Sequence, residues 1–267
     1  MNGCGNDFVI FDARAYGALE LTPAQARKIA SRSEGVGCDQ VIAIERSLRG
    51  EAFMRIWNAD GSEVSACGNA ARCVAFTLFQ ENGEAPVRIE TRAGLLKAEA
   101  AGALITVDMG SPLLKWEEIP VARPTDTVRL DYEAPGAPEL GRPGGVNMGN
   151  PHAVFFVADA EAAPAASLGP LVERDPFFPE GVNVGFAELL GRERLRLRVW
   201  ERGAGLTKAC GTGACAAVVA AHRAGLSERR VAVEVDGGEL LIEWKASDDR
   251  VLMTGPVEVE HEGELAV

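Results

Sequence analysis

The sequence predicts an α/β (α+β) protein made of two pseudo-symmetric, similar domains. Three observations carry that expectation: an internal repeat, a helix that starts just after a cysteine in each copy, and short β-branched or aromatic runs between turn residues. RIWNADGSEVSACGNAARCVA at 55–75 and RVWERGAGLTKACGTGACAAV at 198–218 share Arg, Trp, Ala, Cys, Gly and Ala at matching places, and Cys210 follows Cys67 by 143 residues. GNDFVIF at 5–11 matches GNPHAVF at 149–155, EGVG at 34–37 matches EGVN at 180–183, and VRIETRAGLLKAE at 87–99 matches VAVEVDGGELLIE at 231–243, all at offsets of 144 to 146. Met109 and Pro112 recur as Met253 and Pro256. Similarity of one helix start by chance would not keep five segments in order.

Each half then reads the same way along the chain. The first has a strand at FVIF, a connecting region, a strand at AFMRIW, a helix after Cys67 and a hairpin-like pair over 87–99. The second has strands at AVFFV and LRLRVW, a helix after Cys210 and a pair over 231–243. The helices rest on apolar residues at three- and four-residue spacing, such as Ala71, Val74, Ala75 and Leu78, and stop at Asn82-Gly83 and Gly225. Turn residues at Asp60-Gly61 and Asp236-Gly237-Gly238 bound the strands. The expected domains are 1–113 and 114–256, joined at or a little before the Pro/Gly-rich stretch APGAPELGRPGG at 134–145. The tail 257–267 overhangs the second repeat and is expected to return as a strand to the first domain.

Composition narrows the function class. With 47% hydrophobic and 25% charged residues among 267, the chain has the make-up of a soluble globular protein, and no apolar run approaches the 18 residues of a membrane span. The start MNGCGNDFVIFDAR carries no secretion signal, so the expected location is the cytoplasm, where Cys4, Cys38, Cys67, Cys73, Cys210 and Cys215 are reduced thiols. A net charge of −12 repels phosphate backbones and argues against a nucleic-acid partner. No phosphate loop and no lysine motif for pyridoxal phosphate is visible, and His152, His222 and His261 form no zinc pattern with the cysteines. The expectation is an enzyme without cofactor or metal.

Cys67 and Cys210 stand where a helix usually has Ser, Thr, Asp or Asn as its cap. There the positive end of the helix dipole favours a thiolate, but a contribution of about 0.3 to 1 kcal/mol lowers the pKa by less than one unit. A mixed pair, one thiolate and one thiol, needs no more than that. If the halves face each other about an approximate twofold axis, the two helix starts meet across a cleft, and one group can remove a proton from carbon while the other returns one. That is racemisation or epimerisation by two bases. Small residues after each cysteine, Gly68-Asn69 and Gly211-Thr212, let backbone N–H groups approach a carboxylate and stabilise the enolate-like charge. The other four cysteines read as small buried hydrophobes.

GNDF at 5–8, NADGSE at 58–63, ACGNAARC at 66–73, GNPHAV at 149–154, and WERGAG with ACGTGACA at 200–216 together resemble the signatures of the diaminopimelate epimerases. The resemblance implies two domains of one type, each a mixed, mostly antiparallel sheet wrapped around a central helix, with the active site in the interdomain cleft. It also implies a homodimer that converts LL- to meso-diaminopimelate in lysine and peptidoglycan precursor biosynthesis, without cofactor or metal. Carried over, Cys67 and Cys210 are the acid/base pair, and Gly68, Asn69, Gly211 and Thr212 bind the reacting α-carboxylate. Asn6, Gln40, Asn58, Asn150, Asn183, Glu201 and Arg202 hold the amino groups and the distal carboxylate, while His152 and Glu201 assist by tuning protonation. Asn2, Ala70, Cys4 and Cys38 depart from the family's usual pattern. Two rivals remain: a racemase for proline, hydroxyproline or another amino acid on the same scaffold, and a thiol redox sensor in which Cys67 and Cys210 oxidise reversibly.

Overall fold

In a computed structural model, which describes residues 1–265, the chain has a mixed α/β fold that divides into two compact units. Unit 1 comprises Met1–Asp108 and the segment from Thr254 onward; unit 2 is Met109–Met253. Residues 266 and 267 of the expected C-terminal strand lie outside the described residues.

Unit 1 contains β1 (Asn2–Gly3), β2 (Asn6–Asp12), α1 (Pro23–Ala30), β3 (Gln40–Glu45), β4 (Ala52–Asn58), β5 (Glu63–Val64), α2 (Gly68–Asn82), β6 (Val87–Thr91), β7 (Gly94–Ala101) and β8 (Leu104–Asp108). Its sheet runs β1-β2-β3-β4-β6-β7-β8, with β5 paired on β4. The pairs β2·β3 and β4·β6 are parallel and the others antiparallel. After residue 253 the chain returns to this unit, and Glu258 bridges Asn2 through backbone bonds of 2.8 and 2.9 Å.

Unit 2 repeats the plan with β9 (Gly144–Asn147), β10 (Pro151–Val157), α3 (Ala165–Glu173), β11 (Asn183–Gly191), β12 (Arg194–Glu201), β13 (Gly205–Thr207), α4 (Gly211–Arg223), β14 (Arg230–Val235), β15 (Gly238–Trp244) and the first part of β16 (Val251–Gly255), whose last two residues belong to unit 1. The order β9-β10-β11-β12-β14-β15-β16 matches unit 1 strand for strand, with the same two parallel pairs and β13 on β12 where β5 lies on β4. A parallel pair needs a crossover, and α1 and α3 supply it within β2–β3 and β10–β11.

The middle helix of each unit explains why the sheet curves. α2 touches β1 at one end of its sheet and β8 at the other, and α4 touches both β9 and β15, so each sheet wraps around its helix. These helices are buried on all sides: every residue of α4 from Gly211 to Ala221 except Thr212 is inside, as are Ala70 to Ala75 and Leu78 of α2. Small side chains allow that enclosure, since alanine lets strands approach a helix from several directions. The sequence reading bounded the domains at 113/114, joined at or a little before 134–145; that Pro/Gly-rich stretch itself lies inside unit 2, where Ala134 and Ala137 join the core with Phe155 and Phe186, and Gly144 and Gly145 open β9. No helix among the described residues is long and apolar enough to cross a membrane.

Candidate active site

In unit 1 the helix start is presented by the β4–β5 hairpin, whose strands pair Ile56 with Val64 and Trp57 with Glu63. Cys67 is the N-cap of α2 in an extended conformation, partly exposed, and its side chain makes no capping hydrogen bond. Four of the expected polar residues of unit 1 form two hydrogen-bonded pairs. Gln40 and Asn58 face each other across β3 and β4, and Gln40 Nε2 donates to Asn58 Oδ1 at 2.9 Å. Asn69 Nδ2 donates to Asn6 Oδ1 at 2.5 Å. Asn69 is buried, so what it can offer a ligand at the helix start is its backbone N–H. Cys73 and Cys38 are buried thiols whose pKa values burial pushes up to about 12 and about 11, which leaves both protonated and inert at neutral pH.

Unit 2 builds a tighter arrangement. Cys210 caps α4 with its sulfur, which accepts the Gly213 N–H at 3.3 Å and lies 3.6 Å from Thr212 Oγ1. Those contacts and the helix start favour a thiolate, and the sequence suggested the same direction. The structure corrects this for Cys210: complete burial, followed by the negative charge of Glu201, pushes its pKa well above the ordinary value, and the donors from Thr212 and Gly213 offset that only in part. Desolvation outweighs the dipole. Glu201, the last residue of β12, is held by a hydrogen bond from Thr207 Oγ1 on β13.

His152 and Asn183 are register partners on the parallel strands β10 and β11. The Asn183 amide is engaged on both sides, donating to the Pro151 carbonyl at 2.9 Å and accepting the Arg202 N–H at 2.9 Å, so it fixes backbone on either side of the site. Arg202 Nη1 donates to the Glu180 carbonyl at 2.7 Å. His152 is enclosed, and burial first, then the Arg202 charge, lowers its pKa to about 3. It is therefore neutral at working pH, and its Nε2 lies 2.9 Å from Asn150 Oδ1. Asn150, His152, Asn183, Glu201, Arg202, Cys210, Gly211 and Thr212 thus belong to unit 2, and Asn6, Gln40, Asn58, Cys67, Gly68 and Asn69 to unit 1. Thr207, Arg72 and Asp39 were not foreseen; for Arg72 the sequence held a signal, a single cation inside the apolar run AARCVAF. Among the described residues no group of three or more His, Cys, Asp or Glu gathers as metal ligands.

The duplicated sheet-around-helix fold is shared with a crystal structure of a probable proline racemase from Agrobacterium radiobacter K84, at a TM-score of 0.69 and 18% identity over 100% of this chain and 91% of that one. That likeness defines the class of fold. A family model, Diaminopimelate epimerase, matches residues 1–115 and 145–260. Curated relatives of that name from Phenylobacterium zucineum (strain HLK1) and Acidiphilium cryptum (strain JF-5) are 57% and 55% identical, each over 99% of this chain and over 96% and 94% of their own lengths. The chain belongs to the diaminopimelate epimerase family.

Proposed function

We propose that the protein is an isomerase that inverts one α-carbon of LL-diaminopimelate to give the meso isomer, with Cys67 and Cys210 as the two acid/base groups. The observation that carries this reading is the placement of one cysteine as the N-cap of the buried helix in each of two like-folded units. Family membership supplies the substrate. Inversion needs a base that takes the α-proton and an acid that delivers another to the opposite face, so each unit contributes one thiol. Backbone N–H groups of Gly68, Asn69, Gly211 and Thr212 stabilise the carboxylate as charge moves onto it. Asn6, Gln40, Asn58, Asn150, Asn183, Glu201 and Arg202 hold the remaining polar groups of the substrate, and neutral His152 keeps Asn150 oriented.

Burial and Glu201 hold Cys210 as a thiol, so in this scheme Cys210 begins as the acid and Cys67 as the base. The opposite epimer reverses the roles. Neither pyridoxal phosphate nor metal takes part, and the working form is a cytoplasmic homodimer, as in the family that the motifs resemble. Incubation of the reduced protein with LL-diaminopimelate in deuterated water tests the reading: meso product carrying α-deuterium is expected. Cys67→Ser and Cys210→Ser each abolish most of the inversion, whereas Cys73→Ser acts only through packing. Full activity in either of the first two variants overturns the mechanism, and racemisation of proline in place of diaminopimelate overturns the substrate.

A further inference from the structure

Arg72 lies one turn beyond Asn69 on α2 and is completely buried. A guanidinium is costly to bury, and this one directs two of its nitrogens at specific oxygens. Its Nη1 donates to Asn69 Oδ1 at 3.0 Å and its Nε reaches the Pro256 carbonyl at 3.5 Å. Arginine has donors only, so Asn69 must turn its oxygen toward Arg72 and its Nδ2 away. That Nδ2 donates to Asn6 Oδ1. With its oxygen committed there, Asn6 turns Nδ2 to Asp39 Oδ2 at 3.3 Å. Asp39 accepts at both carboxylate oxygens: the same Oδ2 takes the Asp7 N–H at 3.0 Å, while Oδ1 accepts from Arg32 at 2.9 Å. A chain that begins on a donor-only group and ends on an acceptor-only group leaves each amide between them one orientation.

We propose that Arg72 and Asp39 are positioning residues for the epimerisation: together they fix the direction of the Asn69 and Asn6 amides, and so the polar edge that Asn6 turns to substrate. This rests on the reading of Asn6 as a substrate-binding residue. An amide in the wrong direction has nearly the same shape as one in the right direction, so packing alone does not choose between them. The ends of the chain choose. The inference also explains why a charged residue occupies a helix whose other buried positions, Asn69 apart, are apolar or glycine.

A double-mutant cycle tests it, with Arg72→Met, Asp39→Ala and their combination, each measured for thermal midpoint and for kcat and KM with LL-diaminopimelate. Loss of one hydrogen bond at either end is expected to raise KM about tenfold, and the double variant no more than the worse single, because one relay has already been broken. The thermal midpoints report whether each variant still folds. Arg72→Lys keeps a donor-only group and recovers part of the KM lost in Arg72→Met. KM increases that multiply in the double variant, or an ordinary KM in Arg72→Met, overturn the relay and leave Arg72 as a fastener for the Pro256 carbonyl. If the unaltered protein leaves LL-diaminopimelate unchanged, the substrate reading has failed on its own, and the relay is read from the side-chain amide signals of Asn6 by NMR. Loss of their exchange protection in both single variants supports it; unchanged protection overturns it.

Discussion

A sulfur atom does at α4 what a hydroxyl or carboxylate usually does, taking an N–H of the first turn, yet Cys210 stays protonated because its surroundings desolvate it and set Glu201 beside it. Glu201→Gln keeps an acceptor for Thr207 and removes the charge, so the Cys210 pKa should fall. Iodoacetamide labelling of Cys210 followed by mass spectrometry across pH is expected to show a lower midpoint in the variant; an unmoved midpoint would remove Glu201 as a cause. His152 titrates in the opposite sense. Its pKa is about 3 in the fold against an ordinary 6.5, so between those values the unfolded chain binds a proton that the folded one refuses. Its contribution is whole above pH 6.5 and is lost as pH falls toward 3, by up to about 1.4 kcal/mol per pH unit. Urea unfolding between pH 5 and 7 should therefore show a steeper fall in stability on acidification for the parent than for His152→Gln, and equal slopes would mean that His152 is not held neutral.

At the scale of elements, α3 rests on β12 with almost no gap. A Cβ on Gly169 would come 2.3 Å from Trp200 Cγ, and Trp200 Nε1 is also tied to Glu173 Oε2 of the same helix at 2.6 Å. Gly169→Ala must push helix and strand apart, with an expected cost of about 1 to 3 kcal/mol in urea or thermal unfolding; a change within error would show that α3 moves freely. The helices after Cys67 and Cys210 and the paired strands that follow them were legible, because the repeat presents each twice and Asn82-Gly83 and Gly225 mark the stops. α1 and α3 were not. α1 buries only Ala26, Ile29 and Ala30, and its start signal was a local one, the Thr22–Gln25 capping box; α3 carries Pro170 inside it and has no side-chain cap. β3 was hidden for another reason: Val41 to Glu45 are all buried, so QVIAIE lacks the alternation that marks a strand with one wet face. The site divides in the same way. Cysteines at equivalent helix starts can be read from the chain, whereas Asp39 meets Asn6 across 33 residues and only the β2·β3 register, which sets Phe8 against Gln40, brings them together.

On the scale of the whole molecule, unit 1 is closed by both ends of the chain. The backbone bonds between Asn2 and Glu258, the Arg72 bond to the Pro256 carbonyl and the Thr106–Thr254 hydroxyl pair at 2.7 Å all join the first 108 residues to the last segment. Unit 2 is a single stretch, so its fold needs neither end. Contacts closed over separations such as 148 residues for Thr106–Thr254 and 184 for Arg72–Pro256 carry a high loop entropy when made singly, but that entropy is already met once unit 2 has folded and brought Thr254 into place. Ending the chain at Gly255 therefore removes the Glu258 and Pro256 partners without touching unit 2. Hydrogen exchange of the shortened protein should rise over Asn2–Asp12 and the first turn of α2, while β10 and β11 keep their protection. The loss should reach function too, because Asn6 and Asn69 sit in the loosened region and Arg72 has lost one acceptor. Exchange that rises equally in both units would instead mean that the two unfold together, and the C-terminal segment would then be fastening the whole molecule rather than unit 1.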